Sequence, residues 1–102
     1  MRVYVVKILD SVFADIDEIA EFIVSISSPE HAVRYVQELQ AEIMSLRYLA
    51  GIIPESRYQT VRQYHPCAKQ LRTRNRKLNI IFHTEGNLAI VDKILPSKMI
   101  IN

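Results

Sequence analysis

The period of the apolar residues changes once along the chain, and that change does most to limit the fold. Between residues 11 and 46, Ile16, Ile19, Ile23 and Ile26, then Val36, Leu39, Ile43 and Leu46, recur at spacings of three and four. Each set therefore occupies one face of a helix. After Cys67 the spacing falls to two: Leu78, Ile80 and Phe82 lie on one side of an extended strand, and Lys77, Asn79 and His83 lie on the other. Helices followed by strands predict a helical layer over one face of a sheet, with the opposite face turned to solvent or a ligand.

Local signals set the boundaries. The opening RVYVVKIL is rich in β-branched and aromatic residues and predicts a strand, after which Ser11 can cap a first helix running to about Ser27. Asp15, Asp17, Glu18 and Glu21 occupy the first half of that helix, where negative charge suits the positive end of the helix dipole; a solvated acidic face is the expected role. Ser28 followed by Pro29 starts a second helix, and Gly51 and Pro54 stop it. So short a connection predicts an antiparallel helical hairpin. Residues 55 to 67 show no sustained period and are expected to form a loop with a short edge strand at Gln59 to Gln63. Strands are then expected at Lys69 to Arg74, Lys77 to Thr84 and Leu88 to Leu95, the last two joined by a turn at Glu85-Gly86-Asn87. The predicted class is α+β: a helical hairpin packed on one face of a mostly antiparallel four-stranded sheet, in the order β-α-α-β-β-β. Asp92 and Lys93 break the alternation of the last strand, since adjacent residues point to opposite faces and one of them must lie at a margin of the core.

A chain of 102 residues has the length of one small domain, so residues 1–102 are expected to build one core and one site or surface. Apolar residues make up 49% and charged residues 24%, a balance that excludes a disordered tail. No stretch reaches the roughly 20 apolar residues needed to span a bilayer, and the start lacks a signal-peptide layout, so a cytoplasmic location without membrane partners is expected. Cys67 is the one cysteine, which excludes an internal disulfide and a thiolate metal cluster. His65 and Cys67 flank Pro66 but have no second ligand pair in the sequence, so neither a metal nor another cofactor is expected. Charge is uneven: residues 1–54 carry four basic and eight acidic side chains, a net of −4, and residues 55–102 carry nine basic and three acidic, a net of +6. Such asymmetry favours an acidic or nucleic-acid partner. Its densest part is KQLRTRNRK, residues 69–77, in which Lys69, Arg72, Arg74, Arg76 and Lys77 are basic. The run has no interleaved aromatics, so it offers charge without a base-stacking surface.

Taken in order, DIDEIAEFI at 15–23, PEHAVRYVQEL at 29–39, LRYLAGIIPE at 46–55, KQLRTRNRKLNIIF, GNLAIVDKIL and the closing PSKM resemble the RelE/ParE superfamily of bacterial toxins. The resemblance covers nearly the whole chain. It implies the toxin of a type II toxin-antitoxin pair, of the kind often called plasmid stabilization proteins. Such a toxin is held inactive by a cognate antitoxin that wraps an extended or helical segment around it. The leading expectation is the RelE-like activity, ribosome-dependent cleavage of messenger RNA through a basic sheet surface; the alternative is the ParE-like one, which poisons DNA gyrase without chemistry of its own. An inactive relic that only binds antitoxin is a further alternative. Fold does not choose among these, because function sits in the site.

RNA cleavage by the 2′-hydroxyl needs a base, an acid and positive charge on the phosphate. The resemblance places Arg72 in the Leu-Arg strand motif and Lys98 just after the last strand, as contacts to phosphate and to the transition state. Arg72 could equally be a structural arginine paired with the acidic first helix, and Lys98 an ordinary surface lysine. Lys69, Arg74, Arg76 and Lys77 extend the candidate nucleic-acid surface. Asn79 stands where the ribonuclease branch tends to have arginine, and Pro96 stands where many members have histidine. His83 is expected to face solvent. The apolar residues Met99, Ile100 and Ile101 suggest a docking or homodimer contact.

Overall fold

A computed structural model describes residues 2–100. Its elements follow the expected order, with two short helical turns added. They are β1 (Val5–Ile8), α1 (Asp10–Ile26), α2 (Pro29–Met44), α3 (Leu46–Leu49), α4 (Gln59–Arg62), β2 (Lys69–Arg72), β3 (Leu78–Glu85) and β4 (Leu88–Pro96), then a 3-10 turn at Ser97–Met99. The strands form one sheet in the order β1-β4-β3-β2. The β2–β3 and β3–β4 pairs are antiparallel, and β1 runs parallel to β4, so the sheet is mixed. A parallel neighbour needs a long crossover, and the helices provide it.

The first strand is shorter than its β-rich sequence suggests. Tyr4 leaves the sheet: its N–H donates to the Arg47 carbonyl at 2.8 Å, and its ring is buried among the helices. Ser11 does not cap α1. Leu9 takes the cap position with extended backbone and no side-chain bond, and the acidic Asp10 falls in the first turn. Ser28 behaves as expected, its Oγ accepting the His31 N–H at 3.1 Å with Pro29 at the first helical position. The second helix breaks at Ser45, whose Oγ–H donates to the Glu42 carbonyl, and α3 resumes at the buried Leu46. Ile26, expected on the inner face of α1, is 66% exposed where α1 runs into the connection.

The main core joins Val12, Ile16, Leu39, Ile43 and Leu46 from the helices to Leu78, Ile80, Phe82, Ala89, Val91 and Ile94 of the sheet. The opposite face is not open, contrary to expectation. Residues 59–63 hold a single helical turn instead of an edge strand, and this turn lays Val61 over Ile81 and Leu95, with Tyr58, Tyr64, Ala68 and Ile100 around them. One apolar anchor on a one-turn helix leaves no periodicity to read.

The register explains Asp92 and Lys93. A β-bulge shifts the β3–β4 pairing between Ile81 and Phe82, so Ile81 pairs with Lys93 and Phe82 with Val91. Val91 and Ile94 both reach the helical core, and the two residues between them are turned away from it. Asp92 meets His83 on the far face. Lys93 reaches round the sheet edge to Asp15 of α1 at 2.9 Å. Pairing of β1 stops at Ile8–Val91, which leaves that edge of β4 without a strand, and Asp15 accepts the Ile94 N–H there at 3.3 Å. The carboxylate substitutes for a missing strand neighbour.

Candidate functional site

Alternation along β2 divides its side chains. Lys69 and Leu71 face the helices, and Gln70 and Arg72 face the far side, opposite Ile81 and Asn79. Lys69 is taken up structurally, its Nζ donating to the Ala50 carbonyl at 2.8 Å, and so does not join Arg72 on one surface.

Arg72 lies at the exposed end of β2 and borders a hollow of about 230 Å3 lined by Tyr58, Gln70, Asn79, Ser97 and Ile100. The floor is a chain of neutral hydrogen bonds. Ser56 Oγ donates to Gln70 Oε1 at 2.9 Å, Gln70 Nε2 donates to Asn79 Oδ1 at 3.5 Å, and Asn79 Nδ2 donates to Ser97 Oγ at 2.7 Å. Asn79 is only 1% exposed, so these bonds satisfy a buried amide that would otherwise be costly to desolvate. Among the described residues Arg72 makes no ion pair, which separates it from the acidic residues of α1. Lys98 is exposed on the 3-10 turn one residue beyond Ser97 and does not line the hollow.

Arg74, Arg76 and Lys77 are exposed in the β2–β3 turn. Asn75 holds that turn, its Oδ1 accepting from Lys77 N–H and Thr73 Oγ1–H, and Arg76 adopts a left-handed φ of 64°. Arg72 also borders a groove of about 580 Å3 between α2 and the end of β2, with Tyr35, Glu42, Leu49 and Leu71 among its walls. Two bonds close its end: Glu42 Oε1 accepts the Arg74 N–H at 2.8 Å, and Asn75 Nδ2 donates to Tyr35 Oη at 3.0 Å.

His83 is buried rather than facing solvent. Its Nδ1 is 2.7 Å from Asp92 Oδ2, its Nε2 is 3.7 Å from Glu85 Oε2, and the His65 ring stacks on it at 3.7 Å between centroids. The loop around α4 folds over the far face and brings His65 there. On the adjoining edge, the Asp15 hydrogen bond raises the Lys93 pKa above its ordinary value, against the lowering effect of burial.

Sequence reasoning missed Ser56, Gln70 and Ser97 as the partners that seat Asn79. Only their polar side chains signalled them, with no spacing to mark them as a set. Of the apolar tail, Met99 is exposed and Ile100 joins the far-side cluster, while Ile101 lies outside the described residues.

No family model matches the chain, and no curated protein does. Among solved structures, a chain of the "Chromosomal ParDE TA system from P. aeruginosa" superposes with a TM-score of 0.79 at 19% identity, covering 92% of this chain and 96% of that one. The β-α-α-β-β-β order expected from the apolar periodicity is the architecture this chain adopts, and it shares that fold with a chain of a ParDE system.

Proposed function

We propose that this chain is the toxin of a type II toxin-antitoxin module, and that it stops growth by binding its target, DNA gyrase, as ParE-like toxins do. The make-up of the Arg72 hollow supports the non-enzymatic part of this reading. Beside Arg72, Gln70, Asn79 and Ser97 are bonded to one another, and among the described residues Tyr58 is the one other titratable side chain there. Cleavage by the 2′-hydroxyl needs a base and an acid near the phosphate. The histidines of this face lie towards the other end of β3, His83 being four residues from Asn79, or roughly 13 Å at strand rise. An exposed arginine over a neutral, pre-bonded floor suits recognition of a carboxylate or phosphate better than proton transfer.

The surface supports an antitoxin partner. Phe22, Ile26 and Val33 are exposed where α1 passes into α2, and the groove beside β2 offers Tyr35, Leu39, Leu49 and Leu71 as apolar contacts for a partner segment, with polar residues alongside. Ribosome-dependent cleavage of messenger RNA is the second reading, and it rests on Arg72 and Lys98 with Arg74, Arg76 and Lys77 as exposed charge.

Purified protein is expected to reduce gyrase supercoiling, and co-purified antitoxin to reverse the effect. Arg72→Ala is expected to weaken growth arrest at equal expression. Unchanged supercoiling at protein levels that arrest growth, together with transcripts cut at the decoding site of translating ribosomes, would replace the gyrase reading with the ribonuclease one.

A further inference from the structure

The sequence offers His65 and Cys67 as an isolated pair, but the fold gives His65 different neighbours. His83 and Glu85 are two residues apart on β3 and so share its far face at the hairpin end. The loop after α4 lays the His65 ring parallel to that of His83, with 3° between the planes. One ligand-capable atom from each of His65, His83 and Glu85 lies within 4.8 Å of the others.

We propose that His65, His83 and Glu85 bind a divalent cation of the zinc type, with Asp92 as the carboxylate that orients His83. This assignment is independent of the toxin reading.

The position of Asp92 carries it furthest. Asp92 and His83 each expose 8% of their side chains, and the 2.7 Å bond between them makes His83 Nδ1 the donor to the carboxylate. In neutral imidazole the lone pair then sits on Nε2. A carboxylate behind a histidine, holding the far nitrogen free, is the arrangement that orients metal-binding histidines. That Nε2 is 3.7 Å from Glu85 Oε2, too far for a hydrogen bond. Two ligand atoms that share a tetrahedral zinc at about 2.1 Å each are separated by roughly 3.4 Å. The two imidazole donors select zinc and its first-row neighbours over calcium and magnesium, and Glu85 adds a carboxylate that zinc also accepts. Glu85 is exposed, so three protein ligands leave a position open to solvent.

Binding requires two adjustments at His65. His65 Nδ1 accepts the Cys67 N–H at 3.0 Å. Ligation through Nδ1 displaces that bond directly. Ligation through Nε2 moves the ring proton to Nδ1 and breaks the same bond, with no net release. In either case the two rings must fan apart so that their lone pairs converge. The Cys67 amide therefore reports on occupancy.

The test uses the untagged full chain carrying Cys67→Ser, which removes the exposed thiol as a competing ligand. After chelator treatment, calorimetric titration with Zn2+ is expected to show one saturable site per chain at micromolar concentration or tighter. His65→Ala and Glu85→Gln should each weaken it at least about tenfold, and Asp92→Asn by about 10- to 100-fold, with circular dichroism unchanged in chelator. The residue-67 amide resonance should shift in proportion to bound zinc. Absence of saturable one-to-one binding at hundreds of micromolar overturns the proposal. So does binding that survives both His65→Ala and Glu85→Gln at full strength, or that leaves the residue-67 amide unmoved.

Discussion

If Asp15 completes the open edge of β4, removing its carboxylate must cost more than a surface ion pair. Asp15→Ala leaves the Ile94 N–H without its acceptor and Lys93 without its partner. An unsatisfied buried N–H costs roughly 1–3 kcal/mol. The ion pair adds less, because the Lys93 side chain is 36% exposed and solvent screens it; roughly 0.2–1 kcal/mol is the usual range for exposed pairs. The expected loss for Asp15→Ala is about 2–3 kcal/mol, or about 10 °C or more in melting temperature for a chain of this size. Asp15→Asn keeps an oxygen for Ile94 and removes only the charge, so it should lose about 1 kcal/mol or less. Urea unfolding followed by circular dichroism, with an unchanged slope, measures both. A cycle with Lys93→Met should give a coupling of about 0.5 kcal/mol that shrinks with added salt. Asp15→Ala within about 0.5 kcal/mol of the parent, or Asp15→Asn as damaging as Asp15→Ala, would refute the edge-completing role. The pH dependence follows from the raised Lys93 pKa. A lysine whose pKa is higher folded than unfolded binds its proton more tightly in the folded state. Its contribution is thus complete below the ordinary value of 10.5 and is lost as pH climbs through the raised one. Asp15→Asn should flatten that alkaline loss.

Asn79→Ala is expected to lower the urea midpoint by an amount equivalent to about 2 kcal/mol, since Ser97 and Gln70 lose their buried partner. Gly51→Ala should destabilise by about 1–3 kcal/mol, because an added Cβ would sit 2.8 Å from the Tyr4 hydroxyl; thermal melts in a Tyr4→Phe background should show part of that cost relieved. Arg76→Gly should raise stability by about 0.5 kcal/mol, the relief of a left-handed φ of 64° less the extra freedom of glycine in the unfolded chain.

Features written in neighbouring residues were legible in the sequence. The Ser28-Pro29 start of α2, the inward sets of both helices apart from Ile26, and the β3 alternation depend on contacts within a few positions, and periodicity reports those. What could not be read depends on residues far apart in the chain. Asp92 and Lys93 showed as a conflict in the strand pattern, but the bulge that resolves it lies in the pairing with β3, and the partner of Lys93 is Asp15 of α1. His83 looked solvent-facing because nothing in residues 55–68 announces that they fold over the sheet. Arg72 could be singled out from its strand motif, whereas the floor beneath it is made by Ser56, Gln70, Asn79 and Ser97 from separate segments.

The bulge at Asp92 and Lys93 also bears on how the gene can change in length. Within a regular strand, deletion of one codon turns every later side chain inside out. Here two consecutive residues already point away from the helices, so deleting either restores plain alternation and leaves Ile94 facing the core and Leu95 facing Val61. The cost is confined to one polar contact, to His83 or to Asp15. Related chains that differ by one residue should therefore carry the difference at this point of the sheet, where a change in length does not become a change in which surface is core.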